Sequence, residues 1–360
     1  MSELPSTMHA VLMTGHGGFD KLSYQQNVPV PQPEAGEVLI WVGAAGVNNT
    51  DINTRIGWYS KTVTDGTTSE GSEQGIADAE VEEDGGWSGA LQFPRIQGAD
   101  ICGQIVAVGA GVSDSRIGER VIVEPCIREG ATDFTYMGSE HDGGFAQYAK
   151  APADYCHSVS CDWSDAELAS IPCSYSTAEN MLTRATLTAG ETVLITGASG
   201  GVGSAAVQLA KRRGATVIAL AGAAKADEVL ALGADRVIPR GSDLAEALGE
   251  ESIDLVVDLV AGEQFSALLQ LLRPGGRYAV SGAIGGPLVE LDVRTLYLKD
   301  LSFFGCTRLA PEVFSNLVGY IERGEIRPAV AKTYPLKEIV TAQQDFLAKK
   351  HTGKLVLIPE

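Results

Sequence analysis

Thr196-Gly-Ala-Ser-Gly-Gly-Val-Gly203 decides the fold of this 360-residue chain. It closes the apolar run Thr192–Gly197 and opens a helical pattern over Gly200–Arg213. Gly200 suits the tight turn, and Gly203 lets helix and strand pack closely. The backbone N–H groups at the start of the helix then face a pyrophosphate. Ala198 stands where the usual fingerprint has its first glycine, and Ser199, Gly201 and Val202 complete the cradle. A purely structural turn is the competing reading. The strand–turn–helix context favours a dinucleotide site.

Downstream, strands and helices alternate. Strands are expected at Thr216–Leu220, Arg236–Pro239, Asp254–Val260, Arg277–Gly282 and Leu301–Cys306, with helices at Lys225–Leu232 and Gln264–Leu272. Alternation of this kind implies an α/β, doubly wound, mostly parallel sheet. Helix follows over Pro311–Gly324, and Lys354–Ile358 is a last strand that returns to the first domain. Upstream, short strands are expected at His9–Met13, Glu37–Val42, Ile101–Val108, Arg120–Glu124 and Phe145–Ala149. Gly- and Pro-rich turns such as Val28-Pro-Val-Pro-Gln-Pro33 separate them, the pattern of a small barrel. Lys61–Gln92 breaks this rhythm with eight acids and little apolar periodicity. It reads as a surface insertion: a solvated loop, a lid or a partner contact.

The second strand bears on the cofactor. An NAD site usually carries Asp or Glu about 20 residues beyond the turn, on the ribose hydroxyls. Here the strand ends Ala219-Leu-Ala-Gly-Ala-Ala-Lys225, and Arg240 follows the third strand. Two cations and no acid suit a 2′-phosphate, hence NADP(H). The bland alternative is two solvated surface charges.

Composition narrows the partners. Acids number 46 and bases 27, a net charge of −19. Such a chain repels phosphate backbones and anionic bilayers, so neither nucleic acid nor a membrane is expected as a partner, and a small-molecule substrate is. The start, Met-Ser-Glu-Leu-Pro, lacks a basic region followed by an apolar run. The six cysteines are scattered without a C-x-x-C pair, which points to reduced thiols and a cytoplasmic protein. Asp51 and Arg55, four apart, are expected to form a local ion pair. His141 and His157 read as satisfied histidines, and Cys173 as a buried thiol or a reactive one.

Taken together, these residues resemble the medium-chain dehydrogenase/reductase superfamily, and within it the zinc-independent quinone oxidoreductase-like branch. The resemblance runs through Gly46-Val-Asn-Asn-Thr-Asp51, Gly98-Ala-Asp-Ile-Cys-Gly103, Gly118-Glu-Arg-Val121 and Asp142-Gly-Gly-Phe-Ala146, then the glycine turn, Leu272-Arg-Pro-Gly-Gly276 and Gly353-Lys-Leu-Val-Leu357. It implies a GroES-like β-barrel catalytic domain from 1–172 and 308–360, with the 61–92 insertion, a Rossmann domain from 173–307, and a homodimer. It also implies that Ser281, Gly282, Ala283, Ile284, Cys306 and Thr307 flank the nicotinamide. Thr177 is placed at the cofactor too, and Lys354 is implied to reach the pyrophosphate.

The zinc ligand positions of related alcohol dehydrogenases fall here on Asn48, Ala99 and Cys173. One soft ligand does not hold a tetrahedral zinc, so no metal is expected. Asn48, Thr50 and Tyr59 are then the donors expected at the substrate, Asn48 and Tyr59 by the resemblance as pocket residues. Asn53 stands where the branch has a second pocket tyrosine. The expected activity is NADPH-dependent reduction of a quinone or an α,β-unsaturated carbonyl compound, needing only hydrogen-bond assistance at the acceptor oxygen. A non-catalytic NADPH-binding sensor or structural protein on the same fold is the alternative. An alcohol dehydrogenase is a third reading, and it requires ligands this sequence lacks.

Overall fold

A computed structural model describes residues 4–76, 81, 85–130 and 133–360. The glycine turn sits in a six-stranded parallel sheet. In space the strands run Arg236–Pro239, Thr216–Ala221, Thr192–Ile195, Ile253–Asp258, Leu272–Val280 and Ser302–Gly305. In chain order that is 3-2-1-4-5-6, the doubly wound arrangement whose crevice opens where the order reverses, between the first and fourth strands. Two side chains lock that point. Thr196 donates to Asp258 at 2.6 Å and Tyr278 donates to its other oxygen at 2.6 Å. Helices Gly201–Arg212 and Phe265–Leu271 cover the sheet, their Ala, Val and Leu faces buried.

The other part is built on the strand Glu37–Gly46. It pairs antiparallel with Asp100–Val108, with Tyr148–Pro152 and with Lys354–Ile358. Val38, Leu39, Ile40 and Val42 are buried in the barrel core. The final strand therefore does return to the first domain, pairing also with Val330–Pro335. The expected strand at Phe145–Ala149 begins three residues later, at Tyr148. Phe145 and Ala146 are fully buried in the preceding segment, so their apolar character marks core rather than strand.

One further expectation changes. Arg55 does not pair with Asp51. Its guanidinium is fully buried and donates to Gly17 O, Ser72 O and Gln343 Oε1, while Asp51 turns back to the start of its own helix. Helical spacing made the pair possible, but three acceptors in a fixed fork satisfy Arg better than one half-turned carboxylate. The described part of the insertion is mostly exposed or half-buried, as a solvated loop would be, but it also makes specific contacts. It forms a short helix, Ser69–Gln74, and receives Arg55 at Ser72. Thr67 N–H donates to Ile284 O at 3.1 Å, joining it to the parallel-sheet domain. The acidic run Glu82-Glu83-Asp84 lies outside the described residues.

Candidate active site

The strand Glu37–Gly46 ends directly at the helix Asn49–Ile56, so residues 48–51 gather at one end of the barrel. The Asn48 N–H donates to Asp51 Oδ2 at 2.7 Å and caps the helix. Burial, reinforced by the charge of Asp100, pushes the Asp51 carboxyl up to about 7. Beside it lies a buried ionic network. Lys354 Nζ donates to Asp100 Oδ2 at 2.7 Å, to Asn48 Oδ1 at 2.6 Å and to Val47 O at 3.0 Å. Asp100, wholly buried, also accepts from Asn48 Nδ2 at 2.8 Å and from the Cys173 N–H at 2.6 Å. All three ammonium protons have acceptors, the condition for tolerating a buried pair.

An aromatic group adjoins this network. Tyr59 O–H donates to Thr50 Oγ1 at 3.2 Å, and Trp87 Nε1–H donates to the same oxygen at 2.8 Å. The Trp87 ring stacks on Tyr136, centroids 4.4 Å apart and planes within 2°. Tyr136 O–H reaches Cys173 Sγ at 3.4 Å. Burial pushes the Cys173 thiol up to about 12, so it is protonated at neutral pH, and burial also raises the Tyr59 phenol.

The glycine turn has a preformed shape. Gly197, at φ 59°, takes the left-handed conformation, whereas Gly200 is extended and starts the helix. The tight turn therefore falls at Gly197 rather than Gly200. A Cβ on Gly203 would lie 2.2 Å from Gly197 O, so only glycine fits there. Ala198 is buried against it, in keeping with a small side chain at that place. Ser174 Oγ is buried without a partner and would lie 2.7 Å from a Cβ on Gly201. Thr352 Oγ1 is a second buried orphan, in the segment whose Gly353 N–H bonds to Ser199 O. A pyrophosphate here would meet helix N–H groups and satisfy Ser174, so the residues fit a dinucleotide.

Past the second strand, Lys225 Nζ donates to His351 O at 2.6 Å. Burial, opposed by Glu228 and reinforced by Arg240, lowers the Lys225 ammonium. Burial and then the charges of Lys225 and Lys349 push the His351 imidazole down to about 4. Cations thus gather just beyond the second strand.

Among known proteins, residues 34–161 match the alcohol dehydrogenase GroES-like domain and residues 201–323 the zinc-binding dehydrogenase family. A quinone oxidoreductase of Lama guanicoe is 30% identical over 98% of this chain and 97% of its own. The chain belongs to the medium-chain dehydrogenase/reductase superfamily, in its quinone oxidoreductase-like branch. An acryloyl-coenzyme A reductase of Metallosphaera sedula is also 30% identical, over 97% of this chain and 99% of its own. The crystal structure of a candidate alcohol dehydrogenase from Sinorhizobium meliloti 1021 is 50% identical, with a TM-score of 0.89 over 100% of this chain and 99% of that one. Medium-chain dehydrogenases/reductases are oxidoreductases that use a nicotinamide cofactor.

The family matched over residues 201–323 is one of zinc-binding dehydrogenases. In this medium-chain dehydrogenase/reductase the ligand positions carry an amide at Asn48, a methyl at Ala99 and the protonated thiol of Cys173. The Lys354 ammonium already sits on Asn48 and Asp100. One protonated thiol beside a buried cation does not fit a tetrahedral zinc. Among the described residues, no group of three or more His, Cys, Asp or Glu comes together to hold a metal. No helix of the described residues is long and apolar enough to cross a membrane.

Of Asn48, Thr50 and Tyr59, the last two share a hydrogen bond, while Asn48 bonds instead to Asp51, Asp100 and Lys354. Lys354 needs correcting: its stem passes Gly201, where a Cβ would lie 2.9 Å from its Cδ, but its ammonium turns away into the barrel toward Asp100. A buried carboxylate holds it there. Ser281, Ala283 and Ile284 are half-buried in the loop after Leu272–Val280, with Gly282 exposed. Cys306 is buried, Thr307 exposed, and Thr177 half-buried on the helix Pro172–Arg184. Arg240 is exposed beside Lys225. Trp87 and His351 carry no local sequence sign of their place at the site. Asp100 lies inside the Gly98–Gly103 motif, where nothing local marks its charge partner. Around Trp87 the sequence shows only an indole amid glycines and acids.

Proposed function

We propose that the protein reduces quinones or α,β-unsaturated carbonyl compounds with NADPH and without a catalytic zinc. The buried ammonium of Lys354 carries this reading. It sits on Asn48, one of the ligand positions, as a cation that takes no substrate oxygen, which leaves hydrogen bonding as the means of assisting the acceptor. An electron-poor acceptor needs no more than that. When bound, NADPH supplies the hydride. Gly201, Val202 and Ser174 hold the pyrophosphate, and Lys225 and Arg240 hold the 2′-phosphate. Thr50 Oγ1, already accepting two bonds, presents its proton to the acceptor oxygen.

The test is NADPH oxidation with a panel of enones and quinones, repeated after chelator treatment. Turnover that survives chelation is expected. The likeness to the Sinorhizobium meliloti protein favours a second reading, alcohol oxidation, and turnover only with alcohols and only with zinc would establish it instead. All six cysteines are free, which suits a reducing compartment such as the cytoplasm.

Cofactor choice follows from the cation cluster. Lys225→Ala/Arg240→Ala should weaken NADPH at least tenfold and leave NADH unchanged. Each charge-assisted bond contributes about 1.5–3 kcal/mol, and about 1.4 kcal/mol is tenfold. Calorimetric titration decides it, and equal affinity of the parent for both cofactors would end the NADPH assignment.

The same reading includes a homodimer. Among the described residues, strand Ser302–Gly305 pairs on one side only, and beside it Leu298 is 71% and Tyr297 59% exposed. An open edge with an apolar helix face calls for a second copy. Leu298→Asp/Tyr297→Asp should halve the mass seen by light scattering, and a parent that is already monomeric would refute the dimer.

A further inference from the structure

The Thr50 hydroxyl accepts from Trp87 Nε1–H at 2.8 Å and from Tyr59 O–H at 3.2 Å. A hydroxyl has two lone pairs and one proton. Both acceptor positions are therefore filled, and no described residue accepts that proton. The indole that fills one of them is itself held. It lies flat on Tyr136, 4.4 Å away, and tilts against Tyr59 at 5.6 Å. The next residue is tied to the barrel, where the Ser88 N–H donates to Glu140 at 3.0 Å and Ser88 Oγ to Phe134 O at 2.7 Å.

The group stands between two parts of the site. On one side Tyr136 touches Cys173, which donates to Asp100. On the other, Thr67 bonds to Asn53 Oδ1 at 3.5 Å and, through its N–H, to Ile284 O at 3.1 Å, on the loop proposed to flank the nicotinamide.

We propose that Trp87, carried by the acidic insertion, is a positioning residue: its indole N–H fixes the Thr50 hydroxyl so that the one remaining proton is presented to the acceptor oxygen. The insertion is then part of the active site. Any relative lacking the tryptophan must orient this hydroxyl differently. The inference rests on the reductase reading for what receives the proton, whereas the bonds to Thr50 stand on their own.

Trp87→Phe keeps the stacked ring and removes only the N–H. With menadione or 2-cyclohexenone as acceptor, kcat is expected to fall roughly tenfold, with KM for NADPH unchanged, as loss of one neutral hydrogen bond implies. Made in the Thr50→Val background, the same change should cost nothing further, because its target is gone. An equal fall in both backgrounds would show that Trp87 is merely wall and overturn the proposal.

A second measurement needs no turnover. In 15N-labelled protein, the Trp87 indole proton, assigned by its loss in Trp87→Phe, should exchange slowly with water in the parent and rapidly in Thr50→Val. Rapid exchange in the parent would also overturn the proposal. If no enone or quinone is reduced at all, the reductase reading fails, and the exchange rates still decide whether Trp87 holds Thr50.

Discussion

Lys354→Met is expected to destabilise the protein by about 3–5 kcal/mol, the range found when one partner of a buried ion pair is removed. The methionine roughly fills the volume, so the loss is electrostatic. Asp100, fully buried, keeps its bonds from Cys173 N–H and Asn48 Nδ2 but loses its counter-charge, and Val47 O and Asn48 Oδ1 lose a donor. Urea denaturation followed by circular dichroism measures the effect. Adding Asp100→Asn removes the orphaned charge and should recover much of the loss. A single variant within about 1 kcal/mol of the parent, the value of an exposed pair, would show that the network contributes little. NADPH titration of the double variant adds a second answer. The ammonium turns away from the glycine turn, so affinity should survive, and a tenfold loss or more would bring back a direct contact with the pyrophosphate.

Thr50→Val should lower kcat by about 10²–10³, the usual cost of removing a donor aimed at developing negative charge. NADPH affinity should stay at the parent value, since Thr50 is bonded to Trp87 and Tyr59 and not to the cofactor cradle. Tyr59→Phe is expected to cost far less. The Tyr59 proton is committed to Thr50, so the phenol acts on the acceptor only through that hydroxyl. Steady-state kinetics of the two variants side by side separates the roles. A Thr50→Val enzyme within about twofold of the parent would move catalysis to orientation alone.

The parallel sheet was legible because the period of its apolar residues is a local property. The glycine turn, the strand Arg236–Pro239 and the closing strand Lys354–Ile358 all carry their reason within a few residues. The nearness of Thr50 and Tyr59 is local in the same way, since one helix and its exit carry both. Lys354 was not. A four-carbon stem reaches in several directions, and which acceptor it takes depends on a carboxylate 254 residues away. His351 joined Lys225 across 126 residues, again with no local sign. Trp87 lies in a segment without periodicity, where a pattern tells only that no regular element is present.

The closing strand has a bearing on how the protein is made. Lys354 and Asn48 are 306 residues apart, yet they share one buried hydrogen bond. At roughly 5–20 residues per second, the ribosome needs roughly 15–60 s to go from one to the other. Until the last strand emerges, the strand Glu37–Gly46 lacks that neighbour and Asp100 lacks its counter-charge. The parallel-sheet domain, contiguous in the chain, has no such delay. Synthesis therefore favours a nascent chain in which the nucleotide-binding sheet is finished first and the barrel stays open, exposed to chaperones, until its last strand emerges.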